Sequence, residues 1–160
     1  LFMFGFKKNK ECVLYSPVNG KTISLEEVPD KVFASKMMGD GIAFELNDVN
    51  LYAPCDGELT MVAHTFHAYG FKARNGAEIL IHVGLDTVNL NGQGFICVKE
   101  KGSKVSVGEL IAKVDLDFMK EKGINLITPM VITNSADYKF HCIEPNKVVH
   151  AKDDKVIYFE

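Results

Sequence analysis

Thirteen glycines and five prolines divide this 160-residue chain into short runs rich in Val, Ile and Phe. That punctuation constrains the fold more than any other feature. Turn-forming groups stand at Pro17-Val18-Asn19-Gly20, Gly39-Asp40-Gly41, Pro54-Cys55-Asp56-Gly57, Arg74-Asn75-Gly76, Leu90-Asn91-Gly92 and Lys101-Gly102. Glycine and asparagine supply left-handed backbone and proline presets φ, so each group reverses the chain for its own physical reason. A spacing of roughly 8 to 20 residues suits a sandwich or barrel better than a βαβ array. Helical patterning is confined to Pro29–Phe33, with proline near its start, and to Asp115–Lys122, closed by Gly123. The expected fold is all-β: an antiparallel β-sandwich with one or two very short helices.

Two local patterns add detail. Ser16-Pro17-Val18-Asn19-Gly20-Lys21 is echoed 37 residues later by Ala53-Pro54-Cys55-Asp56-Gly57-Glu58, each a small residue and proline before a polar-glycine turn into a strand. Val105-Ser106-Val107-Gly108-Glu109-Leu110-Ile111 reads as a hairpin of the kind found in biotinyl and lipoyl carriers. A carrier needs a lysine at the hairpin tip, and Gly108-Glu109 offers none.

Composition excludes several classes of function. The net charge of −3 and pI near 6.0 exclude a nucleic-acid footprint. A mildly acidic surface suits a basic protein partner. Cys12, Cys55, Cys97 and Cys142 include no C-x-x-C pair, which argues against a zinc knuckle and predicts four buried thiols in a reducing, cytoplasmic setting. No apolar run is long enough to span a bilayer. Residues 1–11 read as a flexible tail and 12–160 as one β domain. The tail begins Leu1-Phe2-Met3-Phe4-Gly5-Phe6-Lys7-Lys8, the reverse of a secretory signal, and its contact with membrane is peripheral at most.

Chemistry concentrates at Ile79-Leu80-Ile81-His82-Val83-Gly84-Leu85-Asp86-Thr87-Val88, which sets an imidazole in an apolar run that reads as a buried strand. Alternation puts Ile79, Ile81 and Val83 on the core face, and Leu80 and His82 on the other. A second strand-like segment, Thr65-Phe66-His67-Ala68-Tyr69, places Thr65 and His67 on one face if it is extended. A threonine hydroxyl two residues away can fix an imidazole tautomer. Two such histidines can hold a metal, pass a proton or carry a phosphoryl group. A nucleophilic role requires a neutral, correctly tautomerised ring shielded from water. His64, His141 and His150 lack comparable surroundings and read as surface or satisfied structural residues.

These residues resemble the glucose-type IIA proteins of the bacterial sugar phosphotransferase system. The likeness rests on Ser16–Gly20, Val28–Ala34, Gly39–Ala43, Ala53–Gly57, Thr65–Ala68, His82–Phe95 and Thr128–Asn134, the His82–Phe95 block being the most specific. The resemblance implies a β-sandwich phosphocarrier. His82 would take a phosphoryl group from phospho-HPr, as a phosphohistidine, and pass it to a cysteine on the IIB domain of a sugar permease. His67 would stabilise the group in transfer and Thr65 would bond His67. Phe33, Met37, Met38, Leu80 and Val88 would form an apolar docking patch, with Asp30 and Asp86 as its acids. Met37 and Met38 as ordinary core residues is the plainer alternative. Regulatory targets add to the partners; no cofactor or metal is implied.

A rival reading comes from a different class. His82-x-Gly84-Leu85-Asp86 also resembles the H-x-G-x-D strand of lysostaphin-type zinc endopeptidases. Those enzymes need a downstream H-x-H, whereas His141 and His150 stand nine residues apart. A third reading, a regulatory module that binds partners according to phosphorylation, is an addition to phosphoryl transfer. Two neutral imidazoles also leave room for inhibitory zinc binding.

Overall fold

The structure, a computed structural model, describes residues 12–160. The expectations for the tail over residues 1–11 lie outside the described residues. Fourteen short strands pair among the described residues, and every pairing is antiparallel. They are β1 (Val13–Tyr15), β2 (Gly20–Ser24), β3 (Asp40–Leu46), β4 (Asn50–Tyr52), β5 (Gly57–Val62), β6 (Ala68–Ala73) and β7 (Glu78–His82). After them come β8 (Phe95–Cys97), β9 (Lys104–Val105), β10 (Leu110–Val114), β11 (Ile127–Ile132), β12 (Phe140–Cys142), β13 (Val148–Val149) and β14 (Lys155–Phe159). An eight-stranded sheet runs β13-β2-β3-β11-β7-β6-β5-β9, and three-stranded sheets run β1-β14-β12 and β4-β10-β8.

The helices are short, as expected. α1 (Lys31–Ala34) is capped by Asp30, whose Oδ1 accepts from the Val32 N–H at 2.9 Å. α2 (Leu116–Glu121) is capped by Asp115. Among the described residues, three 3-10 turns, at Leu25–Glu27, Thr87–Leu90 and Ser135–Asp137, lie outside the two segments with helical patterning. Asp40 and Gly41, expected in a turn, are the first residues of β3, because the chain has already reversed at Lys36–Gly39. The two echoed segments do perform the same task, each leading into a strand that starts at its glycine, Gly20 or Gly57. The expected hairpin at Val105–Ile111 is corrected. β9 pairs with β5, whereas β10 pairs with β4 and β8, so the link between them crosses from one sheet to another.

Period-two alternation sorts side chains into two apolar clusters on the two faces of the large sheet. Ile42 and Phe44 of β3, Tyr69 and Phe71 of β6, Ile79 and Ile81 of β7, and Met130 and Ile132 of β11 join the main core. Leu14, Ile111, Val156 and Ile157 of the small sheets meet them there. Ala43, Ala68, Leu80 and Val131 point the other way, into a smaller cluster completed by Leu25, Val28, Phe33 and Leu85. The central strand β11 is therefore covered on both faces, which explains its near-continuous apolar run. Of the four thiols only Cys55 is buried; Cys12, Cys97 and Cys142 are half-exposed, and all four are free. The expectation of four buried thiols fails because Cys12 precedes β1 while Cys97 and Cys142 end short strands, where cover is incomplete. No helix among the described residues is long and apolar enough to cross a membrane.

Candidate functional site

The outer, smaller cluster is the floor of the site. β6 begins and β7 ends side by side above it, with Ala68 paired to His82. The Val83 N–H donates to the His67 carbonyl at 2.7 Å, tying the segment before β6 to the segment after β7. The two imidazoles consequently stand edge to face, centroids 5.0 Å apart at 76°. Residues 15 apart in sequence meet because the β6–β7 hairpin returns the chain to its own starting point.

Thr65 to His67 is not the extended segment expected from its composition. It is a turn: the Phe66 N–H donates to the Ala63 carbonyl at 2.8 Å, the buried Tyr69 hydroxyl donates to the Phe66 carbonyl at 2.8 Å, and Phe66 adopts φ 58°. The turn is needed to reverse the chain between β5 and β6, and it overrides the β-propensity of Thr and Phe. Thr65 and His67 still meet, with Oγ1 2.6 Å from Nδ1, across the turn and not along a strand.

His82 Nδ1 lies 2.7 Å from the Gly84 carbonyl oxygen. A carbonyl can only accept, so Nδ1 carries the proton and the lone pair resides on Nε2. Burial pushes the His82 pKa below its ordinary value, opposed by the Gly84 hydrogen bond and by the charges of Asp30 and Asp86. Burial also lowers His67, and the neighbouring His82 lowers it further. Each ring is thus held toward the neutral, nucleophilic form. Phe33 shields one side of His82, its ring centroid 5.1 Å away at a 60° tilt.

The structure brings His82, His67, Thr65 and Phe33 together, with Asp30 and Asp86 acting on His82 through their charge. Leu80 lies beneath them in the outer cluster, 8% exposed. Met37, Met38 and Val88 are surface residues, exposed by 77%, 39% and 48%. Their exposure overturns the plainer alternative that Met37 and Met38 are core. The residue pattern missed Phe66, which stands exposed between Thr65 and His67, and the Gly84 carbonyl, whose sole sequence signal was a glycine two places after His82. Two surface hollows, one with Asp40, Tyr138 and Glu160 and one with Val49, Ile96 and Lys113, contain no residue of the histidine site.

The remaining histidines have other surroundings. His141 stacks on Tyr158 at 5.2 Å, His150 faces Asp154 at 3.3 Å, and His64 is exposed. Among the described residues no group of three or more His, Cys, Asp or Glu side chains is assembled to hold a metal, so the ligand set of the zinc endopeptidase reading is missing there.

Comparison with known proteins agrees with this fold. A family profile described as phosphoenolpyruvate-dependent sugar phosphotransferase system, EIIA 1, matches residues 12–138. The glucose-specific EIIA component of Bacillus cereus is 46% identical over 135 residues, 84% of this chain and 81% of that protein. A glucose-specific EIICBA component of Staphylococcus carnosus is 42% identical over 145 residues, 91% of this chain but 21% of that longer protein. Among solved structures, the glucose permease IIA from Mycoplasma capricolum superposes with a TM-score of 0.85 at 34% identity, covering 97% of this chain and 99% of that one. An antiparallel sandwich that carries this histidine pair, matched along most of its length, belongs to the EIIA family of the phosphoenolpyruvate-dependent sugar phosphotransferase system.

Proposed function

We propose that the protein relays a phosphoryl group, taking it from phospho-HPr on His82 Nε2 and passing it to a cysteine of the IIB domain of a glucose-type permease. The observation that carries this reading is the His82 Nδ1–Gly84 carbonyl bond, which reserves Nε2 for attack. In the first step the Nε2 lone pair forms a bond to phosphorus, and the bond to HPr breaks with its electron pair leaving on HPr. The ring keeps its Nδ1 proton and becomes positive. The Gly84 carbonyl and the charges of Asp30 and Asp86, which already favour a charged His82, stabilise that product. In the second step a cysteine sulfur attacks phosphorus and the electron pair of the P–N bond returns to Nε2.

His67 has a complementary task. With the Thr65 hydroxyl donating to its Nδ1, its proton sits on Nε2, where it donates to a phosphoryl oxygen. The exposed apolar residues Met37, Met38 and Val88 suit a docking surface that excludes water from the transfer, and Asp30 and Asp86 suit a basic rim on the partner. Homologous segments joined to longer EIICBA chains support IIB as the acceptor.

Incubation with phosphoenolpyruvate, enzyme I and HPr tests the relay. One acid-labile phosphate per chain is expected, lost in His82→Ala; His67→Ala should accept the group and fail to pass it on efficiently. Labelling that persists in His82→Ala refutes the assignment, and chelator-sensitive peptidase activity would favour the rival.

A further inference from the structure

The His82–Gly84 hydrogen bond is only as well aimed as the backbone around Gly84, and that backbone is held by Thr87, Thr128 and the Asn125 carbonyl. Thr87 is fully buried, at 0% exposure, and its Oγ1–H donates to the Val83 carbonyl at 2.7 Å. Its methyl also closes on Gly84: a Cβ at Gly84 would meet Thr87 Cγ2 at 2.7 Å. Thr128 is also 0% exposed; its Oγ1 receives a long 3.4 Å contact from the Gly84 N–H and donates to the Leu126 carbonyl at 2.9 Å. The Leu85 N–H is anchored on the Asn125 carbonyl at 2.9 Å. Both peptide planes that flank Gly84 Cα are therefore gripped, and rotation of either would swing the Gly84 carbonyl away from Nδ1.

We propose that Thr87 is a positioning residue for phosphoryl transfer: by holding the Val83 carbonyl and the Gly84 Cα, it fixes the acceptor that keeps His82 in its Nδ1–H tautomer. Thr128 supports the same peptide from its N–H side. The role rests on His82 as the phosphoryl acceptor. Its chemistry is that of an outer group that orients a histidine through an intermediate acceptor, whose loss costs about tenfold or more in activity. A threonine that merely filled space would be replaced by valine, nearly the same shape, with no effect on the ring.

The test compares Thr87→Val and Thr87→Ser in the full chain, with Thr128→Val as an independent variant acting on the other side of Gly84. Nitrogen-15 NMR of the imidazoles reads the tautomer without any phosphoryl donor. The wild-type protein should show His82 protonated at Nδ1. Thr87→Val should mix in the Nε2–H form, and the maximal rate of phosphorylation by phospho-HPr should fall about tenfold with KM little changed. Thr87→Ser, which keeps the hydroxyl, should restore both. An unchanged His82 tautomer in folded Thr87→Val and Thr128→Val overturns the proposal. Failure of the wild-type protein to accept phosphate overturns the relay, while the tautomer measurement still decides whether Thr87 orients His82.

Discussion

Gly84→Ala puts the largest demand on the site for the smallest chemical change. Gly84 adopts φ +77° and is buried, and an added Cβ would lie 2.7 Å from Thr87 Cγ2 and 3.2 Å from the Asn125 carbonyl oxygen. Left-handed backbone costs an L-residue about 1–2 kcal/mol. Overpacking against a buried, hydrogen-bonded threonine costs about 1–3 kcal/mol more. Together these predict a loss of about 2–5 kcal/mol, a large share of the stability of an ordinary domain. Gly102→Ala is the control, because Gly102 has φ +93° but nothing within 4 Å of its added Cβ. It should lose the backbone contribution alone, about 1–2 kcal/mol. Urea unfolding separates the two: the midpoint of Gly84→Ala should drop by about 1–2 M, and that of Gly102→Ala by about half as much. Equal midpoints for the two variants would show that the Thr87 contact is not tight and would refute the reasoning.

Two further outcomes follow from the same site. Burial holds His67 and His82 below the ordinary histidine pKa, so the unfolded chain binds protons that the folded state refuses. Their contribution to stability is complete above about pH 6.5 and is lost as pH falls through the folded values. Unfolding measured at several pH values should show a smaller acid loss in His67→Gln than in wild type; the same loss would refute the shift. Phe66 carries an exposed ring on φ 58°, a conformation asparagine tolerates better. Phe66→Asn should gain about 1 kcal/mol and raise Tm by about 2–4 °C, and a lower Tm would show that the ring's packing outweighs its backbone strain.

Much of the architecture was legible because strand burial has a period of two. Ile79, Ile81 and Leu80 were assigned to opposite faces from spacing alone, and they occupy the two apolar clusters accordingly. The short helices α1 and α2 overlap the expected segments Pro29–Phe33 and Asp115–Lys122, although α1 starts after its Asp30 cap and not at Pro29. Thr65–His67 departs from its strand-like composition because propensity describes a residue's neighbours in a sheet, whereas this segment has to reverse the chain. The Val105–Ile111 hairpin failed for a related reason: local turn chemistry says that the chain bends, not which sheet it enters next.

The sequence by itself determined the all-β class, the two faces of β7 and the residues from which a phosphoryl site could be made. Only the tertiary structure decided that His67 and His82 stand 5.0 Å apart, since that depends on the register Ala68↔His82 across a hairpin. It also decided which nitrogen of His82 bears the proton. That choice belongs to a backbone carbonyl at Gly84, aimed by a positive φ and buried threonines, and a carbonyl is common to every residue, so no residue name announces it.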